Sequence, residues 1–235
     1  MNQERTARLA GALYAASGIP AVFSLLYVPG KLIVSGDAAE TARRVLASET
    51  LFRAGMVCEL VNAVMFVFVV GALYRLFRGV DERQASLMLT LFLPSVPISF
   101  LNVLNEIAAL ALFRGADYLS VVGEPQREAL GMLFIRLHGQ GINLAAIFWG
   151  LWLVPFGVLV IRSGFFPKVL GWLLLLNSLA YPATSLTSWL APGYLGVVSR
   201  IAVFAELGEL WIMLWLLIKG ANVPPSAAAA AEVRT

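Results

Sequence analysis

Two stretches of this chain carry acids and bases into apolar runs, at spacings that set them on shared helix faces. Residues 48–62 read Ser-Glu-Thr-Leu-Phe-Arg-Ala-Gly-Met-Val-Cys-Glu-Leu-Val-Asn and bring Glu49, Arg53, Glu59 and Asn62 into a segment apolar enough to cross a bilayer. Near the C-terminus Arg200, Glu206 and Glu209 repeat the spacing of Arg53, Glu59 and Asn62. Ionisable groups in hydrocarbon cost at least a few kcal/mol each, so they persist where they face protein or a wet cavity. Glu206 and Glu209 stand about one helical turn apart, and their repulsion calls for a base such as Arg136 or Arg200 within reach. Such a pair suits either a structural ion-pair lock or a proton- or cation-responsive site.

Other helices offer polar stripes of the same kind. Ser95, Ser99, Asn102 and Glu106 are spaced 4, 3 and 4, with Asn105 beside them, which puts them on one face. Asn177, Tyr181, Thr184 and Ser188 repeat that spacing. Arg136, Gln140 and Asn143 form a third stripe, from which His138 points about 200° away. His138 is the chain's one histidine, and zinc sites generally draw three or four His, Cys or carboxylate ligands. The expected role of His138 is therefore a structural hydrogen bond, with no metal and no other cofactor. Arg53, four residues after Glu49, reads equally well as an interfacial anchor paired with that acid. Asn102, Asn105 and Asn177 read as interhelical glue. No nucleophile elbow, zinc-protease motif or phosphate loop is present.

The elements that hold these groups are long apolar helices. Of 235 residues, 60% are hydrophobic and 13% charged, about half the charge of an ordinary soluble domain. The mean hydropathy of +0.82 leaves too little polar surface for a water-soluble globule. Lys and Arg lie at helix ends instead of in clusters, which excludes nucleic acid as a partner despite a net charge of +3. The single cysteine, Cys58, excludes an internal disulfide.

The resulting expectation is an all-α polytopic membrane protein. Its six-helix transmembrane bundle fills residues 1–220, followed by a disordered cytoplasmic tail over 221–235. The spans fall at about 9–28, 51–77, 85–113, 130–161 (broken near Pro155), 169–190 and 197–218. The first is too long for a signal peptide. In the first outer loop, Asp37 and Glu40 have the spacing of a capping box and open a short surface helix. Basic residues favour one side, with Arg5, Arg8, Arg75, Arg78, Arg83, Arg162, Lys168, Lys219 and Arg234 inside. This predicts the cytoplasmic (inner) membrane with both termini in the cytoplasm. Glu106 then lies about 10 Å below the outer end of its helix, and the charges gather in the outer half of the bilayer. Arginines at 53, 136 and 200 and prolines at 20, 94, 97 and 182 hint at three hairpins. General preferences of arginine for interfaces and of proline for membrane helices explain them better. The acidic signature of the mitochondrial carriers is missing after each of those prolines, which excludes that family.

Several runs together resemble one bacterial multi-pass membrane family, the domain of unknown function 4386 (DUF4386). They are Arg8-Leu-Ala-Gly-Ala-Leu-Tyr14, Gly36-Asp-Ala-Ala-Glu-Thr-Ala42, Ser48-Glu-Thr-Leu-Phe-Arg-Ala-Gly55 and Ala72-Leu-Tyr74. Ser163-Gly-Phe-Phe-Pro-Lys-Val-Leu-Gly-Trp172 and Gly208-Glu-Leu-Trp-Ile-Met-Leu-Trp-Leu-Leu-Ile-Lys-Gly220 complete the set. The resemblance implies a polytopic inner-membrane protein and carries no catalytic residues with it. Three readings follow, with the lipid bilayer and a lipid or small molecule as partners. The first is a binder or transporter of a small cationic or protonatable amphiphile, using Glu59, Glu106, Glu206 and Glu209. The second is an intramembrane enzyme acting on a lipid or isoprenoid, with a glutamate as general acid/base assisted by His138 or Arg136. The third is a structural subunit without catalysis.

Overall fold

The computed structural model describes residues 3–221, and the expected tail beyond residue 221 lies outside them. The chain is helical, with no strand among the described residues. Its elements are α1 (Gln3–Val22), a π-helical turn (Phe23–Tyr27), α2 (Val28–Leu32), α3 (Ala38–Ala47), α4 (Glu49–Phe77), α5 (Glu82–Phe92) and α6 (Ser95–Arg114). After them come α7 (Glu124–Leu151), α8 (Leu153–Ser163), α9 (Lys168–Leu190) and α10 (Leu195–Ile218). Joined across their bends, these make six helices long and apolar enough to cross a membrane. This is a multi-pass membrane protein.

Proline explains the bends. Pro20 has no N–H for the i−4 carbonyl, and a π-helical turn begins three residues later. There the Ser24 hydroxyl donates to Pro20 O at 2.9 Å. The helix then continues to Leu32, so Gly30 and Lys31, expected in a polar loop, are helical. The third span bends at Leu93-Pro94. In the fourth the break falls at Trp152, three residues before Pro155, because the missing bond is the one back to Leu151.

The chain packs as two compact units. One gathers the described residues up to Ala16, Met65–Ser95 and those from Ala146 on; the other is Ser17–Val64 with Val96–Ala145. The first is rich in aromatic contacts: Trp152 stacks on Phe156 at 5.3 Å and meets Phe66 edge-on at 5.6 Å. Its helices approach closely over glycine. A Cβ on Gly171 of α9 would lie 2.7 Å from Gly157 O of α8, and one on Gly208 of α10 would lie 2.9 Å from Leu173 O. Small residues at such crossings let backbones pack where no hydrophobic force joins helices in lipid.

The second unit has its own core, where Phe52 and Met56 of α4, Val103 and Leu110 of α6, and Met132 and Ile135 of α7 pack together. Helix α3 joins it through Ala42 and Val45. The expected cap is half formed: Asp37 Oδ1 accepts from the Glu40 N–H at 2.9 Å. The reciprocal arm is absent, because the Asp37 N–H donates to Val34 O and the Glu40 carboxylate turns to Arg43 and Arg44. Two guanidiniums in reach outcompete one backbone N–H.

Candidate functional site

Three helices of the second unit each place one reactive side chain in an otherwise apolar stripe. On α4, Glu59 follows Phe52 and Met56 at intervals of 4 and 3; on α6, Glu106 lies between Val103 and Leu110. On α7, His138 continues the line of Met132 and Ile135. Each sits where a core residue belongs, so the packing that buries the stripes also brings the three together. Glu59 is 8% exposed, and Glu106 and His138 are each 9% exposed.

The geometry is tight. His138 Nε2 lies 2.9 Å from Glu59 Oε2 and 3.7 Å from Glu106 Oε2. One ligand atom from each of the three residues can be chosen so that all lie within 4.8 Å of one another. Glu106 Oε2 has no hydrogen-bond partner. The histidine's backbone is held as well: Asn102 Nδ2 donates to His138 O at 2.9 Å, and Asn105 Nδ2 donates to Asn102 Oδ1 at 3.1 Å. Gly141, one turn after His138, leaves the room that the Asn102 amide fills, since a Cβ there would overlap it. Asn102 thus joins α6 to α7, its bond to His138 O orienting a reactive group, while Asn105 bonds Asn102 on its own helix.

The expectation for α7 needs correcting. Arg136 and Gln140 lie on the exposed face and Asn143 is half-buried, so the Arg136 stripe does not face the core. A long guanidinium arm is satisfied at an interface, whereas His138 replaces an aliphatic residue in the inward register. The count of histidines argued against a metal; carboxylates from two other helices lie close enough to His138 that the three residues could hold one.

Glu49 and Arg53 form the anchoring pair, with Arg53 Nε donating to Glu49 Oε1 at 2.7 Å and Arg114 Nη1 3.5 Å from the same oxygen. Arg53 is exposed and Asn62 half-buried, with Asn62 Oδ1 unpartnered, so Arg53 and Glu59 go to different surroundings.

In the first unit Glu209 is held by two phenols. Tyr14 OH donates to its Oε1 at 2.7 Å and Tyr181 OH to its Oε2 at 3.0 Å. Asn177 is fully buried beside it, and its amide closes no hydrogen bond. Glu206 is half-buried. Arg200 is exposed and donates to Gly196 O at 2.8 Å, and among the described residues no ion pair reaches Glu206 or Glu209. Tyr14 had no place among the expected site residues. Its signal was present only in the N-terminal run that ends on it.

With this geometry in view, the chain can be compared with known proteins. It matches the domain of unknown function DUF4386 over residues 9–220. The chain belongs to that family. An uncharacterized protein of Archaeoglobus fulgidus is 34% identical over 79 residues, which cover 34% of this chain and 46% of that protein. No solved structure matches. The DUF4386 match takes in the Glu59–Glu106–His138 cluster and the Tyr14–Glu209–Tyr181 contact alike.

Proposed function

We propose that this DUF4386 protein is a membrane cation-binding protein in which Glu59, Glu106 and His138 hold a divalent metal ion. The observation that carries the reading is the unpartnered Glu106 Oε2, buried 3.7 Å from a ring nitrogen that Glu59 already approaches. Zinc bonds of about 2.0–2.1 Å at tetrahedral angles put neighbouring ligand atoms about 3.3 Å apart. The separations of 2.9 and 3.7 Å bracket that edge, so an ion fits with small side-chain shifts. Two carboxylates in a desolvated setting call for positive charge between them. A small cationic or protonatable amphiphile, the occupant expected from sequence, meets the same demand with a bulkier group than this spacing suits. Mixed imidazole and carboxylate donors suit zinc, manganese or iron over copper(I).

The number of protein ligands favours one refinement. Three leave a coordination position open to water or substrate, as in catalytic zinc sites, whereas structural sites are closed by four. That supports the intramembrane-enzyme reading, with the metal as Lewis acid. This reading takes the protein to lie in the inner membrane with both termini in the cytoplasm, which the distribution of Lys and Arg supports. The test is metal analysis of the purified chain after zinc loading and dialysis. About one ion per chain is expected, falling to background in Glu106→Gln and His138→Ala. Equal metal content in the wild type and both variants sinks the reading.

A further inference from the structure

Glu209 stands deep within its span. At 1.5 Å per residue it lies about 21 Å along α10 from Leu195 and about 14 Å from Ile218. The first unit supplies the polar groups around it: Tyr14 from α1, Asn177 and Tyr181 from α9, and Glu206 from its own helix. Each carboxylate oxygen accepts a phenol proton, and a group that only accepts is an ionised carboxylate. Among the described residues no base pairs with it. Asn177 is 0% exposed, and neither its Oδ1 nor its Nδ2 has a hydrogen-bond partner. A carboxylate without a counter-charge and a buried amide without a partner thus lie side by side, and each is unfavourable as it stands.

The room between them is small. A Cβ on Gly208, the neighbour of Glu209, would lie 2.9 Å from the carbonyl oxygen of Leu173, one turn before Asn177. Helices α9 and α10 therefore almost touch at this level, and the crossing suits an atom-sized occupant better than a bulky one. We propose that this site binds a monovalent metal cation of the sodium class, held by Glu209, Asn177 Oδ1 and the phenol oxygens of Tyr14 and Tyr181. These donors are all oxygen, as hard cations require, and a phenol that gives its proton to Glu209 keeps lone pairs for the ion. One carboxylate at the centre balances one positive charge. A proton on Glu209 would remove the charge and leave Asn177 Oδ1 unsatisfied, whereas a cation answers both. Glu206 and Glu209 are half-buried, so the acids keep a side open by which an ion can enter. Coupling ions of membrane transporters are held at this depth, between packed helices. The site shares no side chain with Glu59, Glu106 and His138 and does not rest on the metal reading made for them.

The test is binding of radioactive sodium to the full chain in mild detergent at neutral pH, with choline chloride holding the ionic strength. About one saturable sodium per chain is expected. Glu209→Gln and Asn177→Leu, both close in shape to the residues they replace, should each weaken it at least about tenfold. Arg43→Gln, on the exposed face of α3, leaves it unchanged. Absence of saturable sodium on the wild type overturns the proposal and assigns Glu209 a proton instead. Equal retention by the wild type and either site variant also overturns it, and Glu209→Gln serves if Asn177→Leu does not fold. Displacement of sodium by an equal concentration of calcium or of butylammonium overturns it in favour of a divalent or an organic cation.

Discussion

His138 Nε2 lies 2.9 Å from Glu59 Oε2, a contact between residues 79 positions apart that joins α4 to α7 inside an apolar core. Neither side chain could be tolerated there alone. Together with Glu106 they turn three buried liabilities into one polar centre, and that centre is where function is expected.

Metal should stabilise the fold. An ion that binds only the native state adds about 2.7 kcal/mol at a hundred times its dissociation constant. Thermal unfolding in detergent with and without zinc should show a higher midpoint with metal for the wild type. Glu59→Gln should show no difference, and a zinc-induced rise of equal size in that variant would refute the assignment.

Tyr14→Phe should destabilise the first unit. It removes the donor to Glu209 Oε1 and leaves a carboxylate oxygen short of a hydrogen bond. The loss should be about 1–3 kcal/mol, measured by chemical unfolding. Adding Tyr181→Phe with Glu209→Leu should recover part of it, because the carboxylate and both phenols that serve it then leave together.

Gly171→Ala should weaken the α8–α9 crossing. The new Cβ would meet Gly157 O at 2.7 Å, and a backbone atom has no alternative rotamer. Separating the helices should cost about 1–3 kcal/mol. Gly18→Ala, with nothing within 4 Å of its Cβ, is the control and should leave the unfolding midpoint unchanged or raise it.

Stability should respond to acid through α3. The guanidiniums of Arg43 and Arg44 hold the Glu40 carboxyl at about 2, below its ordinary 4.5. A depressed folded value means the contribution is complete above the unfolded value and disappears as the pH falls from 4.5 through 2. The difference in melting temperature between wild type and Glu40→Gln should therefore be constant at neutral pH and vanish across that window. Glu40 is half-buried and both its arginine partners are exposed, so the difference should be small and shrink further in high salt.

What the sequence by itself determined was everything that lies along one helix. Six long apolar runs demanded membrane helices because backbone polar groups in lipid must be satisfied within the segment. Intervals of 3 and 4 put Asn102 with Glu106, and Arg53 with Glu49, and the structure keeps both relationships. Which faces meet was decided only by the tertiary structure. Arg136 and His138 are two residues apart, and no local rule says which of them turns inward. The inward one sits in register with Met132 and Ile135, whose burial depends on α4 and α6 lying opposite. The repeat of Arg53, Glu59 and Asn62 by Arg200, Glu206 and Glu209 shows the same limit. Like spacings led to unlike surroundings: among the described residues Glu59 meets a histidine while no ion pair reaches Glu206, and Asn62 Oδ1 is unpartnered while two tyrosines hold Glu209. Helical periodicity fixes direction around one axis, while chemistry here depends on groups brought together from separate axes.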